Sequence, residues 1–214
     1  MTRIAYYNQL RMLALEKREQ YSVTTPTLNL LCMRRMYKGE GIKIDLRSIK
    51  GNKIRAAYFC DDGDYSVLLN RQLPREPRLF SLAHELKHHY VDQQQIQEGA
   101  IRCGDYNAHE FIEKGAEVFA AEFIYPEAEM RELVGQLGIA QEGFTPETIV
   151  HFKRACPAPV SYSFLVKRFA WFGFCVEQEF KQVQFQKLEE KIFGTPIYKQ
   201  RWFKQYRARR RKTV

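Results

Sequence analysis

Between Leu79 and Asp92 the chain reads LFSLAHELKHHYVD, with His84 and His88 four residues apart, Glu85 directly after the first, and Leu82, Ala83, Leu86, Tyr90 and Val91 around them. No other stretch restricts the fold as much. Apolar residues around most of a helix's circumference mark a mostly buried helix, and buried imidazoles and a buried carboxylate need partners. The helix must therefore lie in a core that brings it polar company from elsewhere in the chain. On a helix, residues i and i+4 share a face with Cβ atoms about 5–6 Å apart. Two imidazoles placed so can converge on one ion at about 2.0–2.1 Å each. Glu85 sits about 100° around the helix from His84, too far to share that ion easily. It can reach a water beside the ion, which is the general-base position of an H-E-x-x-H pattern. Lys87, a charge inside the pattern, is read as pointing to solvent.

Two histidines leave such a site short of a ligand. The segment 110–124, EFIEKGAEVFAAEFI, supplies a candidate: Glu113 and Glu117 are also four apart, beside an apolar stripe of Ala116, Phe119, Ala120 and Phe123. Glu113 is the expected third metal ligand, and a carboxylate one turn away can accept a ring N–H and fix a ligand's tautomer. The remaining histidines fit bland roles better. His89 lies next to the motif but on another face. His109 and Tyr106 precede the Glu113 helix; either could stabilise an oxyanion, although a local loop hydrogen bond is the simpler reading. His151 falls on a surface helix. Asp92 shares the His88 face, where capping or solvation is the favoured reading over a role as the partner of a ligand.

The rest of the chain frames these two helices. Periodicity predicts a helix over 4–18 and a second from Thr25-Pro26 to Gly39 or Gly41. Three short runs of β type follow, at 42–46, 54–59 and 65–70, separated by turn-forming stretches and read as a small meander. The loop PREP leads into the helix 78–92. The polar stretch 93–109 reads as loop, and helices follow at 110–124, 127–137, 146–155 and after Ser161, with a further short one. The sum is an α+β fold, mainly helical, with a small three-stranded sheet before the central helix.

Composition limits what such a chain does. Hydrophobic residues make up 45% of the 214, which is core material and argues against disorder. No apolar run approaches the roughly 20 residues of a membrane span, and the N-terminal residues lack the apolar stretch of a signal peptide. The five cysteines, Cys32, Cys60, Cys103, Cys156 and Cys175, are scattered with no C-x-x-C pair. That pattern disfavours a disulfide framework and suits a reducing, cytoplasmic setting. The net charge is +9, but eight Lys and Arg and no acid fall in residues 199–214, leaving +1 for residues 1–198. The reading is one domain over 1–198, with its core at about 40–175, and a basic tail at 199–214. The tail's aromatics and arginines suit phosphate contacts and base stacking. They equally suit a solvated terminus.

HELKH followed by Glu113 and KGAEVFAAEFIYP resembles the ImmA/IrrE family of metallo-endopeptidases, among the gluzincin-type zincins. YSVLLNRQLPREPRLFSLAHE is similar to the family's strand and loop before the active-site helix, and VSYSFLVKRFAWFGF to its C-terminal helix. The resemblance spans about 40–175. It implies a zincin-like fold with His84, His88 and Glu113 as metal ligands, Glu85 as the catalytic base, and Zn2+ as cofactor, with Mn2+ also compatible with such ligands. It further implies a regulatory protein as substrate, a helix-turn-helix repressor of the XRE type. Two positions depart from the family pattern: Gly115 stands where a second glutamate is common, and Glu117 where Asn or Asp is usual. The competing reading is a metal-binding regulatory or interaction protein of the same fold that hydrolyses nothing and docks on a partner or nucleic acid through its basic tail. A chain that binds no metal is the third.

Overall fold

A computed structural model describes residues 2–49, 54–100, 109–140 and 143–201. These form two compact units, Met1–Gly135 with Cys156–Ser161 and Gln136–Ala155 with Tyr162–Val214. The first unit holds both sequence motifs. It opens with α1 (Arg3–Gln20), capped by the Thr2 side chain, which accepts from Ala5 N at 3.2 Å. α2 (Leu30–Gly39) begins later than the Thr-Pro pair suggests. Thr24 and Thr27 close a turn on each other, their hydroxyls 2.8 Å apart. Asn29 is the true cap, its Oδ1 accepting from Leu31 N and Cys32 N at 2.8 and 3.0 Å, as a short polar side chain does best at that position.

The sheet has strands β1 (Ile42–Arg47), β2 (Ala56–Asp61) and β3 (Asp64–Asn70) in the order β1-β3-β2. It is mixed, not a meander: β3 lies in the middle, parallel to β1 and antiparallel to β2, with Ile44 and Tyr58 both opposite Val67. The physical reason lies in the side chains. β3 carries the consecutive apolar run Val67-Leu68-Leu69, which suits a strand flanked on both edges. β1 alternates Ile42, Ile44 and Leu46 with charged Lys43, Asp45 and Arg47, which suits an edge.

α3 (Arg75–Lys87) starts directly after Pro74, so PREP forms its first turn. Proline is tolerated there because first-turn N–H groups have no partner within the helix. At Lys87 the helix widens into a π-turn, His88–Asp92, and then continues as α4 (Gln93–Gln97), where the sequence suggested loop. Residues 101–108 of that expected loop, Tyr106 among them, lie outside the described part. α5 (Glu110–Ile124) and α6 (Glu127–Gln136) follow.

Helices α1, α3 and α5 pack around an apolar centre in which Leu79, Leu86, Ala116, Phe119 and Phe123 have no exposure. Burying a side chain such as Phe119 is worth about 1.5–3 kcal/mol. Two buried polar ties set the helices in register. Tyr37 donates to the Leu82 carbonyl at 2.7 Å, fixing α2 on α3. Arg18 donates to the Phe123 carbonyl at 2.6 Å and to Thr25 at 2.9 Å, fixing α1 on the end of α5.

The second unit contains α7 (Pro146–Ala155), α8 (Tyr162–Trp171) and α9 (Phe185–Phe193). Its core is aromatic: Phe169 meets Phe152 edge-on at 4.9 Å, and Tyr162 stacks on Phe185 at 4.7 Å. His151 is exposed, its ring edge against Phe193. Of the expected basic tail only 199–201 are described, and Lys199 pairs with Glu190. No helix among the described residues is long and apolar enough to cross a membrane.

Candidate metal centre

α3 and α5 bring the two motifs face to face. His84 projects from the last turn of α3, His88 from the start of the π-turn that continues it, and Glu113 from the first turn of α5. His84 Nε2 lies 2.9 Å from Glu113 Oε2, His88 Nε2 lies 3.3 Å from His84 Nε2, and His88 Nε2 lies 3.8 Å from Glu113 Oε1. The structure thus places all three expected ligands together, separated by 29 residues of chain between His84 and Glu113. Glu113 and His88 have no exposure, whereas the His84 side chain keeps 12%. Solvent therefore meets the cluster on the His84 side.

The donor set fits a divalent cation. Four ligands at about 2.0–2.1 Å from a tetrahedral ion stand about 3.3–3.4 Å from one another. The observed separations bracket that value. His88 Nδ1 donates to Asp92 Oδ2 at 2.7 Å, which leaves the Nε2 lone pair aimed at the other two groups. A proton shared by His84 and Glu113 relieves one of the close pairs, whereas a cation relieves all three. The electrostatics agree: burial alone lowers the His84 pKa, yet the Glu113 hydrogen bond and the charges of Glu85, Glu113 and Glu117 outweigh it and hold the pKa above the usual histidine value.

Glu85 sits in this field without joining the cluster. It is buried, and its Oε2 has no hydrogen-bond partner among the described residues. Burial raises its pKa, the His84 and His88 charges and the Tyr58 main-chain N–H work against that, and the net direction is up. A carboxylate of raised pKa is a better proton acceptor near neutral pH. The free oxygen is where a water's proton could go.

Several side chains differ from their expected places. Lys87 is not on the surface: it has no exposure, and its Nζ donates to Asp92 Oδ2 at 2.6 Å. Asp92 neither caps nor faces water; it is buried against His88 and Lys87. Glu117 accepts from Lys114 at 2.8 Å on the helix flank. The ring N–H of His88 is thus met by Asp92. The signal for Asp92 was its i+4 spacing from His88. His89 points away from the cluster, to Tyr58 and Glu40. His109 stands at the start of α5 and makes no side-chain cap. Gly115 has a packing reason: a Cβ there would lie 2.8 Å from Tyr6 Cε1 and 2.9 Å from Leu10 Cδ1. At this position the chain brings α1 close against α5.

No curated protein matches the chain significantly. The peptidase family described as the IrrE N-terminal-like domain matches residues 38–147, which is just over half of the chain and includes β1–β3, α3 and α5. With the two helical motifs folded onto one buried cluster, that match settles the relationship: the chain belongs to the IrrE N-terminal-like peptidase family.

Proposed function

We propose that the protein is a zinc-dependent endopeptidase whose substrate is a regulatory protein, a helix-turn-helix repressor of the XRE type. In this reading His84, His88 and Glu113 hold the ion, and Glu85 is the catalytic base. One observation carries it: a buried, unpartnered Glu85 oxygen beside three converging donor atoms. A divalent ion held by those donors would acidify a water and polarise the scissile carbonyl. Glu85 takes the proton of the attacking water at Oε2 and returns it to the leaving amine, one group serving as base and then as acid. Asp92 keeps the His88 proton on Nδ1, so that Nε2 stays a ligand. The Tyr58 main-chain N–H steadies the Glu85 carboxylate between the two transfers.

The resemblance to repressor-cleaving peptidases supports the substrate class. The test is incubation of the protein with helix-turn-helix repressors encoded near its gene, with and without chelator, beside a Glu85→Gln variant. The expected result is a defined fragment that chelator abolishes. Glu85→Gln should keep its metal and lose about 10²–10⁴-fold in rate, the usual worth of a positioned proton-transfer group. Cleavage by Glu85→Gln at the full rate would remove Glu85 from the mechanism. Metal analysis showing nothing near one equivalent in the wild-type protein would remove the metal.

A further inference from the structure

We propose that Lys87, the residue directly before His88 in HELKH, is a positioning residue that sets both ligand-bearing helices of the site; this rests on the metal centre proposed above. Lys87 has no exposure. Three contacts of its ammonium each reach a different part of the site's frame. It donates to Asp92 Oδ2 at 2.6 Å. The same oxygen accepts from His88 Nδ1 at 2.7 Å, so one carboxylate oxygen is held between the lysine and a ligand. Lys87 also donates to the Ile112 carbonyl at 3.3 Å, one residue before Glu113 in the first turn of α5. Third, it lies over the Tyr6 ring of α1, 5.8 Å from the centroid.

The backbone is shaped to allow this. In an α-helix residues five apart are turned about 140° from each other, and Lys87 and Asp92 would face different ways. The π-turn at His88–Asp92 closes that angle. With i→i+5 hydrogen bonding, Asp92 comes round between the side chains of residues 87 and 88. Such turns inside α-helices concentrate at functional sites.

Stability does not account for a lysine at this place. Removing an ammonium from water is costly, and an apolar side chain of similar volume commonly serves a core as well or better. What the ammonium adds is direction. It pins Oδ2 on the His88 side, so that Asp92 meets His88 in one orientation. It also ties the α5 turn bearing Glu113 to the π-turn bearing His88. The lysine acts through Asp92 and the Ile112 carbonyl.

The experiment is a titration of the metal-stripped full chain with cobalt(II) ion, read by the visible absorption of the bound metal, for wild type, Lys87→Met, Lys87→Arg, Asp92→Asn and the double variant Lys87→Met/Asp92→Asn. Circular dichroism and thermal melting are followed in parallel. Positioning through Asp92 predicts that Lys87→Met, still folded, binds cobalt about tenfold or more weakly and shifts its visible bands. The double variant should lose less than the two single losses combined, and Lys87→Arg should recover part of the loss. A folded Lys87→Met with wild-type affinity and spectrum overturns the proposal and leaves the metal centre standing. Failure of both Lys87 variants to fold overturns it too, making the lysine a core residue. Failure of wild type to bind cobalt overturns the metal centre and this proposal together.

Discussion

His88 and His89 are adjacent, both buried, and built into opposite kinds of surroundings. His88 faces Nε2 of His84 and the Glu113 carboxylate at 3.3 and 3.8 Å, with Asp92 holding its other nitrogen. His89 faces hydroxyls. Tyr58 OH lies 2.9 Å from its Nδ1, and Glu40, 3.8 Å from its Nε2, accepts from Tyr21 and Tyr90 at 2.6 and 2.7 Å. The rings of Tyr58, Tyr65 and Tyr90 close around it edge-on. Burial holds the His89 pKa below the usual value, against the pull of Glu40. A histidine becomes a ligand by what its lone pair meets, not by burial or by its neighbour in sequence. Where hydroxyl hydrogens answer each lone pair, an imidazole is a structural group. Where lone pairs face one another, a cation is the natural fourth member.

The most damaging test of that contrast is to remove each ring in turn. His88→Ala should lower metal affinity by more than about 100-fold, beyond what losing an outer partner of a ligand costs. His89→Phe should leave affinity within a few-fold of wild type and act on thermal stability instead. Isothermal titration of both variants decides it, and equal losses would erase the distinction. The next largest effect is at Asp92. Asp92→Asn keeps the shape and removes the charge facing His88 and Lys87, with an expected loss of about 10–100-fold in metal affinity. Glu40→Gln makes the same change beside His89 and should leave metal affinity unaltered in the same titration.

How far the sequence shows this contrast depends on which period governs a contact. His84 and His88 are legible because the α-helical repeat fixes i and i+4 on one face, and Glu85 because the H-E-x-x-H pattern sets it beside them. Glu113 is legible because a long apolar-striped helix carries it. Lys87 is not: a charge reads as solvent-facing, and its partner lies five residues on, off-face in any α-helix. Only the π-turn pairs them, and nothing in HHYVD announces a π-turn. The sheet order was partly readable. The run Val67-Leu68-Leu69 is continuous where IKIDL alternates, and a continuous run belongs in the middle of a sheet. The start of α2 was readable too, since Asn29 stands directly before two leucines, but the Thr-Pro signal upstream points to an earlier start. The Tyr58–Glu40–His89 cluster draws on α2, β2 and the π-turn, which no local pattern joins.

A smaller effect probes the helix that leans on both histidine environments. α1 supplies the Tyr6 ring under Lys87 on one side; on the other it supplies Lys17, over the Tyr90 ring at 4.7 Å, and Tyr21 follows at its C-terminal end. Gly115→Ala pushes a methyl into Tyr6 and Leu10. Overpacking costs about 1–3 kcal/mol and alanine returns up to about 1 in helix propensity, so a net loss of about 1–2 kcal/mol is expected in urea unfolding. Unchanged or raised stability would mean that α1 yields freely and does not set either region.

Tyr58 gives the finest test, because it serves both regions with different atoms. Its main-chain N–H supports the charged form of Glu85, and its hydroxyl meets His89. Tyr58→Phe removes only the hydroxyl. The expected cost is about 1 kcal/mol of stability, the net worth of one buried hydrogen bond. Metal affinity and cleavage rate should stay at wild-type values, because β2 still pairs with β3 through Val67 and still presents its N–H to Glu85. A fall in cleavage rate without a fall in metal affinity would mean that the His89 cluster reaches the base through the β2 backbone. The two histidine environments would then be coupled through one strand residue, and the boundary between them would run through Tyr58 and not between His88 and His89.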